Sequence, residues 1–317
     1  MYPMVSNPFH IVDVFAERKY AGNQLAVVTD AGVLNTETMQ AVAREMNYSE
    51  TTFVTDSEPT DAGYGVRIFT PTVELPFAGH PTLGTAAVLC ETVAGRDSGE
   101  IVIDLERDSI PVTVEAGDGD GDDGGGDGGN DDDSGSDDED RNGTEVYWMA
   151  QNPPAFETSV DRESAARVLD LDPAAIDERY EPEVVSTGLP KLLVPTTSID
   201  AVRRARIDEA FVVEHGAKAI LVFAPETVDT DADLHARMFA PALGVPKDPA
   251  TGSSNGCLAA YLAVRRYFDT PTVDATVEQG FEIDRPSLLR LRADVTGPET
   301  AVSVGGRVIP VAEGTLR

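Results

Sequence analysis

The chain's 317 residues suffice for two domains of ordinary size, each with its own core, and its 28 Gly and 21 Pro favour many short elements joined by turns. With 56 acids against 24 Lys and Arg the formal charge is −32, which argues against nucleic-acid and anionic-membrane partners, since both are bound through basic patches. Two cysteines argue against a disulfide framework, and there is neither a signal-peptide pattern nor an apolar run near the ~20 residues of a membrane span, so a cytoplasmic location is expected.

Residues HIVDVFAERK and QLAVVTD read as strands flanking an AGN turn. A helix over 36–47 (TETMQAVAREMN) presents Met39, Val42, Ala43 and Met46 on one face. Strands TTFVT and GVRIFT follow, then a Gly/Pro turn, a helix through TLGTAAVLCETV, and the alternating strands IVIDLE and IPVTVE. Residues 117–140 hold twelve acids and no apolar side chain, so nothing can be buried and like charges repel; a disordered surface linker is expected. The run lacks the ordered ligand spacing of a calcium loop. Without it the charge is still −20, as expected of a surface that stays solvated in concentrated salt, the condition of halophile cytoplasm.

Beyond the linker, EVYWMAQ, KLLVP and KAILVFA read as strands, ESAARVL and AVRRA as short helices, and SSNGCLAAYLAVRRYF as a long one. The tail LLRLRADV and AVSVGGRVIPV reads as antiparallel strands around a Gly-Gly turn. The expected division is an N-terminal half (1–116), the acidic linker (117–143) and a C-terminal half (144–317) whose last strands can pack back on the first half. The halves share more than grammar. Arg67-Ile68-Phe69-Thr70-Pro71 matches Arg237-Met238-Phe239-Ala240-Pro241, and Gly79 with Ala86-Ala87 and Leu89 matches Gly252 with Ala259-Ala260 and Leu262. Agreement in order at a near-constant offset favours a duplicated unit, with the two small-residue turns facing each other across a cleft.

Three polar clusters could carry chemistry. Asn47-Tyr48-Ser49-Glu50-Thr51-Thr52-Phe53 joins a helix to a strand, where desolvation could raise the Glu50 pKa toward the range useful for proton transfer. From that segment alone, a Glu capping neighbouring backbone is the simpler reading. Pro76-Phe77-Ala78-Gly79-His80-Pro81-Thr82 opens a helix, so its N–H groups could hold an anion while His80 bonds substrate or relays a proton. Asp248-Pro249-Ala250-Thr251-Gly252-Ser253 opens another helix and adds a carboxylate and two hydroxyls. His10, His215 and His235 have no comparable setting and read as structural or surface. There is no phosphate-binding P-loop, no dinucleotide glycine fingerprint, and no second His or Cys in metal-ligand spacing beside His80 or Asp248.

The segments VDVFAERKYAGNQLAVV, MNYSETTFV, RIFTPTVELPFAGHPTLGTAAVL, RMFAPALGVPKDPATGSSNGCLAAYL and EQGFEIDRPSLLRL resemble, in order, the signatures of the PhzF-like, phenazine-biosynthesis isomerase family. The resemblance implies a mixed α/β (α+β), diaminopimelate-epimerase-like fold: two pseudo-symmetric halves, each a curved, mostly antiparallel sheet wrapped around a central helix. It also implies cofactor-free proton relocation on a small cyclic or unsaturated carboxylate such as dihydro-hydroxyanthranilate, by a homodimer. Carried across residue by residue, Glu50 is the general acid/base, His80 and Asp248 assist it, Gly79, Gly252 and Ser253 hold the substrate carboxylate, and Thr251 also binds substrate. One rival is an amino-acid epimerase or racemase of the same fold, but such chemistry needs a thiol at each helix start, where His80 and Ser253 stand. Another is a small-ligand-binding protein that has lost the chemistry, and a third is a regulatory partner that uses the acidic run as its binding tail.

Overall fold

Runs of β-branched and apolar residues form strands, and the all-apolar small-residue runs form helices sealed inside them. We describe the fold from a computed structural model, for residues 7–56, 58–95, 99–106, 108–117, 145–207, 216–240 and 248–317. The acidic segment beyond Gly117 and His215 lie outside the described residues. In the first part the order is β1 (Asn7–Val14), β2 (Asn23–Val28), α1 (Thr36–Met46), β3 (Glu50–Val54) and β4 (Tyr64–Phe69). Then come the short β5 (Glu74–Leu75), α2 (Gly79–Leu89), β6 (Glu100–Asp104) and β7 (Ser109–Glu115). After the acidic segment follow β8 (Val146–Ala150), β9 (Ala155–Ser159), α3 (Arg162–Val168), β10 (Glu183–Ser186), β11 (Lys191–Pro195) and α4 (Ile199–Arg204). The chain ends with β12 (Ala219–Ala224), β13 (Leu234–Phe239), α5 (Gly252–Val264), β14 (Thr272–Gln279), β15 (Ser287–Asp294) and β16 (Ala301–Leu316).

The strands hydrogen-bond in the order β1-β2-β3-β4-β6-β7-β8-β16-β15-β14-β13-β12-β11-β10-β9, and β16 also pairs with β1. That second pairing closes eight strands into a ring, with Asn7–Val14 lying antiparallel to Val308–Leu316. Most pairings are antiparallel. Among the described residues four are parallel, β2–β3, β4–β6, β11–β12 and β13–β14. Each is bridged by a helix, as parallel neighbours require a crossover connection. The sequence of pairings from β1 to β7 (antiparallel, parallel, antiparallel, parallel, antiparallel) therefore recurs from β10 to β15.

Helices α2 and α5 carry no polar face. Every residue of α2 after Gly79 is buried, as are eleven residues of α5, so these helices must be enclosed on all sides. The first lies against β1, β2, β3, β6, β7, β8 and β16, the second against β10, β11, β14, β15 and β16, and the two helices also touch. Small residues allow this closeness: Leu25 and Val14 crowd the backbone at Gly84. Pro81 is tolerated at the third helical position because first-turn N–H groups lack intrahelical partners anyway. The helix begins three residues earlier than its apolar run suggests and ends in one wider π turn, Cys90–Ala94.

The tail departs from the expected hairpin. Residues 301–316 form one continuous strand, and Gly305-Gly306 lies inside it. A Cβ at Gly305 would come within 2.5 Å of the Trp148 ring, and one at Gly306 within 2.5 Å of Phe15. The two glycines let the strand pass under aromatic rings, a close-approach role that a Gly-Gly dipeptide shares with turns and that sequence alone does not distinguish. Strands β5, β9, β10 and β14 are additions to the sequence expectation. Among the described residues no helix is long and apolar enough to cross a membrane.

Candidate active site

The three polar clusters meet at one cavity of about 530 Å³. Its lining contains Glu50, Gly79, His80, Asp248, Thr251, Gly252 and Ser253, so every candidate site residue from the sequence faces the same space. Phe77 and Met149 join the apolar wall, and Gln151, Asn152, Thr187 and Lys191 add polar groups. Glu50 is the first residue of β3, brought there because β3 runs parallel to β2.

Glu50 Oε2 lies 3.4 Å from His80 Nε2. The alignment is too poor for a hydrogen bond, and both atoms are buried without a partner. Burial raises the Glu50 pKa, with a Ser49 hydrogen bond opposing it. Burial pushes His80 the other way, down to about 4, against the pull of the Asp248 charge. His80 is therefore neutral at pH 7, and the contact is a carboxyl facing an uncharged imidazole.

Asp248 retains some exposure as a residue, but its carboxyl is enclosed. Asn23 Nδ2 donates to Asp248 Oδ1 at 2.7 Å, and Thr251 Oγ1 donates to Oδ2 at 2.7 Å. Burial raises its pKa as well; the His80 and Thr251 contacts lower it and the Glu50 charge raises it further. The site thus gathers two carboxyls with raised pKa values and a neutral histidine, a setting suited to proton transfer.

Both helices that open on the cavity leave their first turns free. Neither Ala78 before α2 nor Thr251 before α5 caps its helix through a side chain, because Thr251 spends its hydroxyl on Asp248. Unsatisfied N–H groups and the positive ends of two helix dipoles consequently face one space, a setting for an anion. A Cβ at Gly79 would stand 3.7 Å from Met149, and one at Gly252 would stand 3.6 Å from Phe15. The protein itself leaves ordinary room there.

Asn23, Gln279 and Lys191 were not singled out in the sequence. Asn23 follows Gly22, whose φ of +61° and 2.4 Å approach to the Val14 carbonyl admit only glycine. Arg285 ties that turn down, donating to the Gly22 carbonyl at 3.0 Å and to Asp13 at 2.7 Å. Gln279 donates to the Asp248 carbonyl at 2.9 Å and accepts from Asn255 at 2.9 Å. The only hints were polar residues at the ends of apolar strands.

His235 is structural. It is fully buried, 2.5 Å from Glu278 and 2.8 Å from Glu282. Burial lowers its pKa, but the two hydrogen bonds outweigh that and hold it above its ordinary value. Cys90 and Cys257 are buried thiols, and neither lines the cavity. Among the described residues no group of three or more His, Cys, Asp or Glu is placed to hold a metal ion.

Comparison with known proteins agrees with this architecture. An uncharacterized isomerase of Mesorhizobium japonicum is 33% identical over 325 residues, spanning 99% of each chain. The trans-2,3-dihydro-3-hydroxyanthranilate isomerase of Pseudomonas chlororaphis is 32% identical, covering 96% of this chain and 98% of its own. The crystal structure of the Bacillus anthracis phenazine biosynthesis protein of the PhzF family superposes with a TM-score of 0.82 at 24% identity, over 99% of this chain and 100% of that one. The family model described as phenazine biosynthesis-like protein (PhzC-PhzF) matches residues 12–314, and this chain belongs to that family and is an isomerase.

Proposed function

We propose that the protein relocates a proton, without a cofactor, on a small cyclic or unsaturated carboxylate resembling trans-2,3-dihydro-3-hydroxyanthranilate, with Glu50 as general acid and base. The observation that carries this reading is the unpartnered Glu50 Oε2, buried 3.4 Å from an equally unpartnered His80 Nε2 at a cavity onto which two uncapped helices open. Glu50 takes a proton from a carbon beside the conjugated system. The C–H electrons pass into that system, and Glu50, whose carboxyl proton exchanges with solvent, delivers a proton to another carbon. The N-terminal turns at Gly79 and Gly252, with Thr251 and Ser253, hold the carboxylate. Neutral His80 and Asp248 orient the ring and stabilise the developing charge.

The finer features of the fold belong to the same reading. Two halves descended from one unit, each with a sheet wrapped around its small-residue helix, are supported by the repeated pairing pattern. The repeated Arg-x-Phe also packs alike in both places: Arg67 lies 5.2 Å over Phe69, and Arg237 lies 4.5 Å over Phe239. A homodimer working in the cytoplasm, with the acidic segment as a solvated linker, completes it. Thiol-based racemisation receives no support, because neither cysteine reaches the cavity.

The test is deuterium wash-in by NMR on trans-2,3-dihydro-3-hydroxyanthranilate and related unsaturated cyclic carboxylates, in heavy water with concentrated potassium chloride. Wild type should incorporate deuterium and Glu50→Gln should not. Equal incorporation by both would take the acid/base role away from Glu50.

A further inference from the structure

Lys191 opens β11 and is 2% exposed. Among the described residues it is the only Lys or Arg lining the cavity, and no hydrogen bond or ion pair is formed by its ammonium group. Other buried or half-buried cations have partners: Arg265 meets Glu183 at 2.6 Å and Arg285 meets Asp13 at 2.7 Å. A cation on a largely buried side chain with no acidic partner is costly to keep. Lys191 feels the charges of Asp248 and of Cys257, which lies in the second turn of α5. Lys191 and the uncapped helix start, Thr251, Gly252 and Ser253, line the same cavity.

We propose that Lys191 is the specificity residue for the substrate's acidic group, completing with the N-terminus of α5 a binding site for a carboxylate. This rests on the isomerase reading of the cavity. The two features reinforce each other. A helix N-terminus offers oriented N–H donors and a partial positive charge, and a desolvated ammonium adds a full one. Burial lowers the Lys191 pKa, and an anion seated beside it would favour the charged form and supply a partner. The surrounding wall, with Ile110, Met149 and Leu189 among its apolar members, fits a flat apolar body attached to that acid. Neutral analogues would leave both the ammonium and the first-turn N–H groups unsatisfied, so discrimination against them follows from the cost of unmade bonds.

Binding is measured separately from turnover. Acetate, benzoate and 3-hydroxyanthranilate are titrated against 2-aminophenol, which has the same amino-phenol ring and lacks only the carboxylate. The readouts are dissociation constants and the amide shifts of Gly252 and Ser253, for wild type, Lys191→Met, Lys191→Arg and Glu50→Gln. Lys191→Met should weaken 3-hydroxyanthranilate about tenfold or more, about 1.4 kcal/mol, and leave 2-aminophenol unchanged. Lys191→Arg should keep most of the affinity. Equal weakening of both ligands, unchanged affinity in Lys191→Met, or no binding of any carboxylate to wild type would each overturn the proposal. Wash-in that fails while carboxylates still bind through Lys191 would sink the substrate assignment and leave the anion site standing.

Discussion

At the scale of single residues, the site is built from buried ionisable groups whose pKa values burial displaces. For Glu50 and Asp248 burial raises the pKa, so the stability they contribute is present below the ordinary carboxyl range and lost as pH rises through the raised folded values. His80 works in the opposite sense. Its folded pKa is about 4 against 6.5 for the free group, so the unfolded chain takes up a proton that the folded chain refuses. The His80 contribution is full above pH 6.5 and falls by roughly 3 kcal/mol between there and pH 4. In His80→Gln that loss should disappear: the difference in unfolding free energy between mutant and wild type, measured by urea titration at successive pH values, should widen in the mutant's favour as pH falls from 7 to 4. A difference that stays flat would mean that His80 is not held neutral by burial. Glu50, His80 and Asp248 stood out as members of polar clusters at element boundaries, but for Glu50 the segment alone favoured a backbone cap, and its role came from the family resemblance. Asn23 and Lys191 did not stand out, because each stands at the head of an apolar strand outside any polar cluster, and its role depends on which strand ends meet in space.

At the scale of elements, α2 and α5 do two jobs with the same residues. Small side chains let them run through the interior, and their glycine starts open free N–H groups to the cavity. The alanine test separates the two. An added methyl at Gly79 or Gly252 meets only ordinary contacts, at 3.7 and 3.6 Å. Alanine there should therefore fold normally and even gain up to about 1 kcal/mol from lower chain entropy. It should still weaken 3-hydroxyanthranilate at least about tenfold, by filling the space an anion needs. Thermal melts and titrations on Gly79→Ala and Gly252→Ala decide it; loss of fold together with binding would show that the glycines serve packing. The helices and most strands were legible from apolar periodicity, which reports burial directly. The Gly-Gly segment was not, since glycine marks close approach and turning alike, and only the positions of Phe15 and Trp148 separate them.

At the scale of the whole molecule, the unusual quantity is charge. A formal −32 is borne by 317 residues, while the sheet is closed by pairing β16 back on β1, so self-repulsion acts on a ring whose first and last strands must stay together. Salt should stabilise such a molecule by screening, as the Debye length falls from ~10 Å at 0.1 M to ~3 Å at 1 M. The urea midpoint of the full chain should rise steadily with potassium chloride and far less with sucrose, which strengthens burial without screening charge. Deleting residues 118–140 removes twelve acids and leaves −20. If repulsion is spread over the whole surface, that deletion should reduce the salt slope and leave most of it. A slope that vanishes in the deletion would confine the repulsion to the acidic run. A full-length chain indifferent to salt would remove the argument that its surface is adapted to concentrated salt.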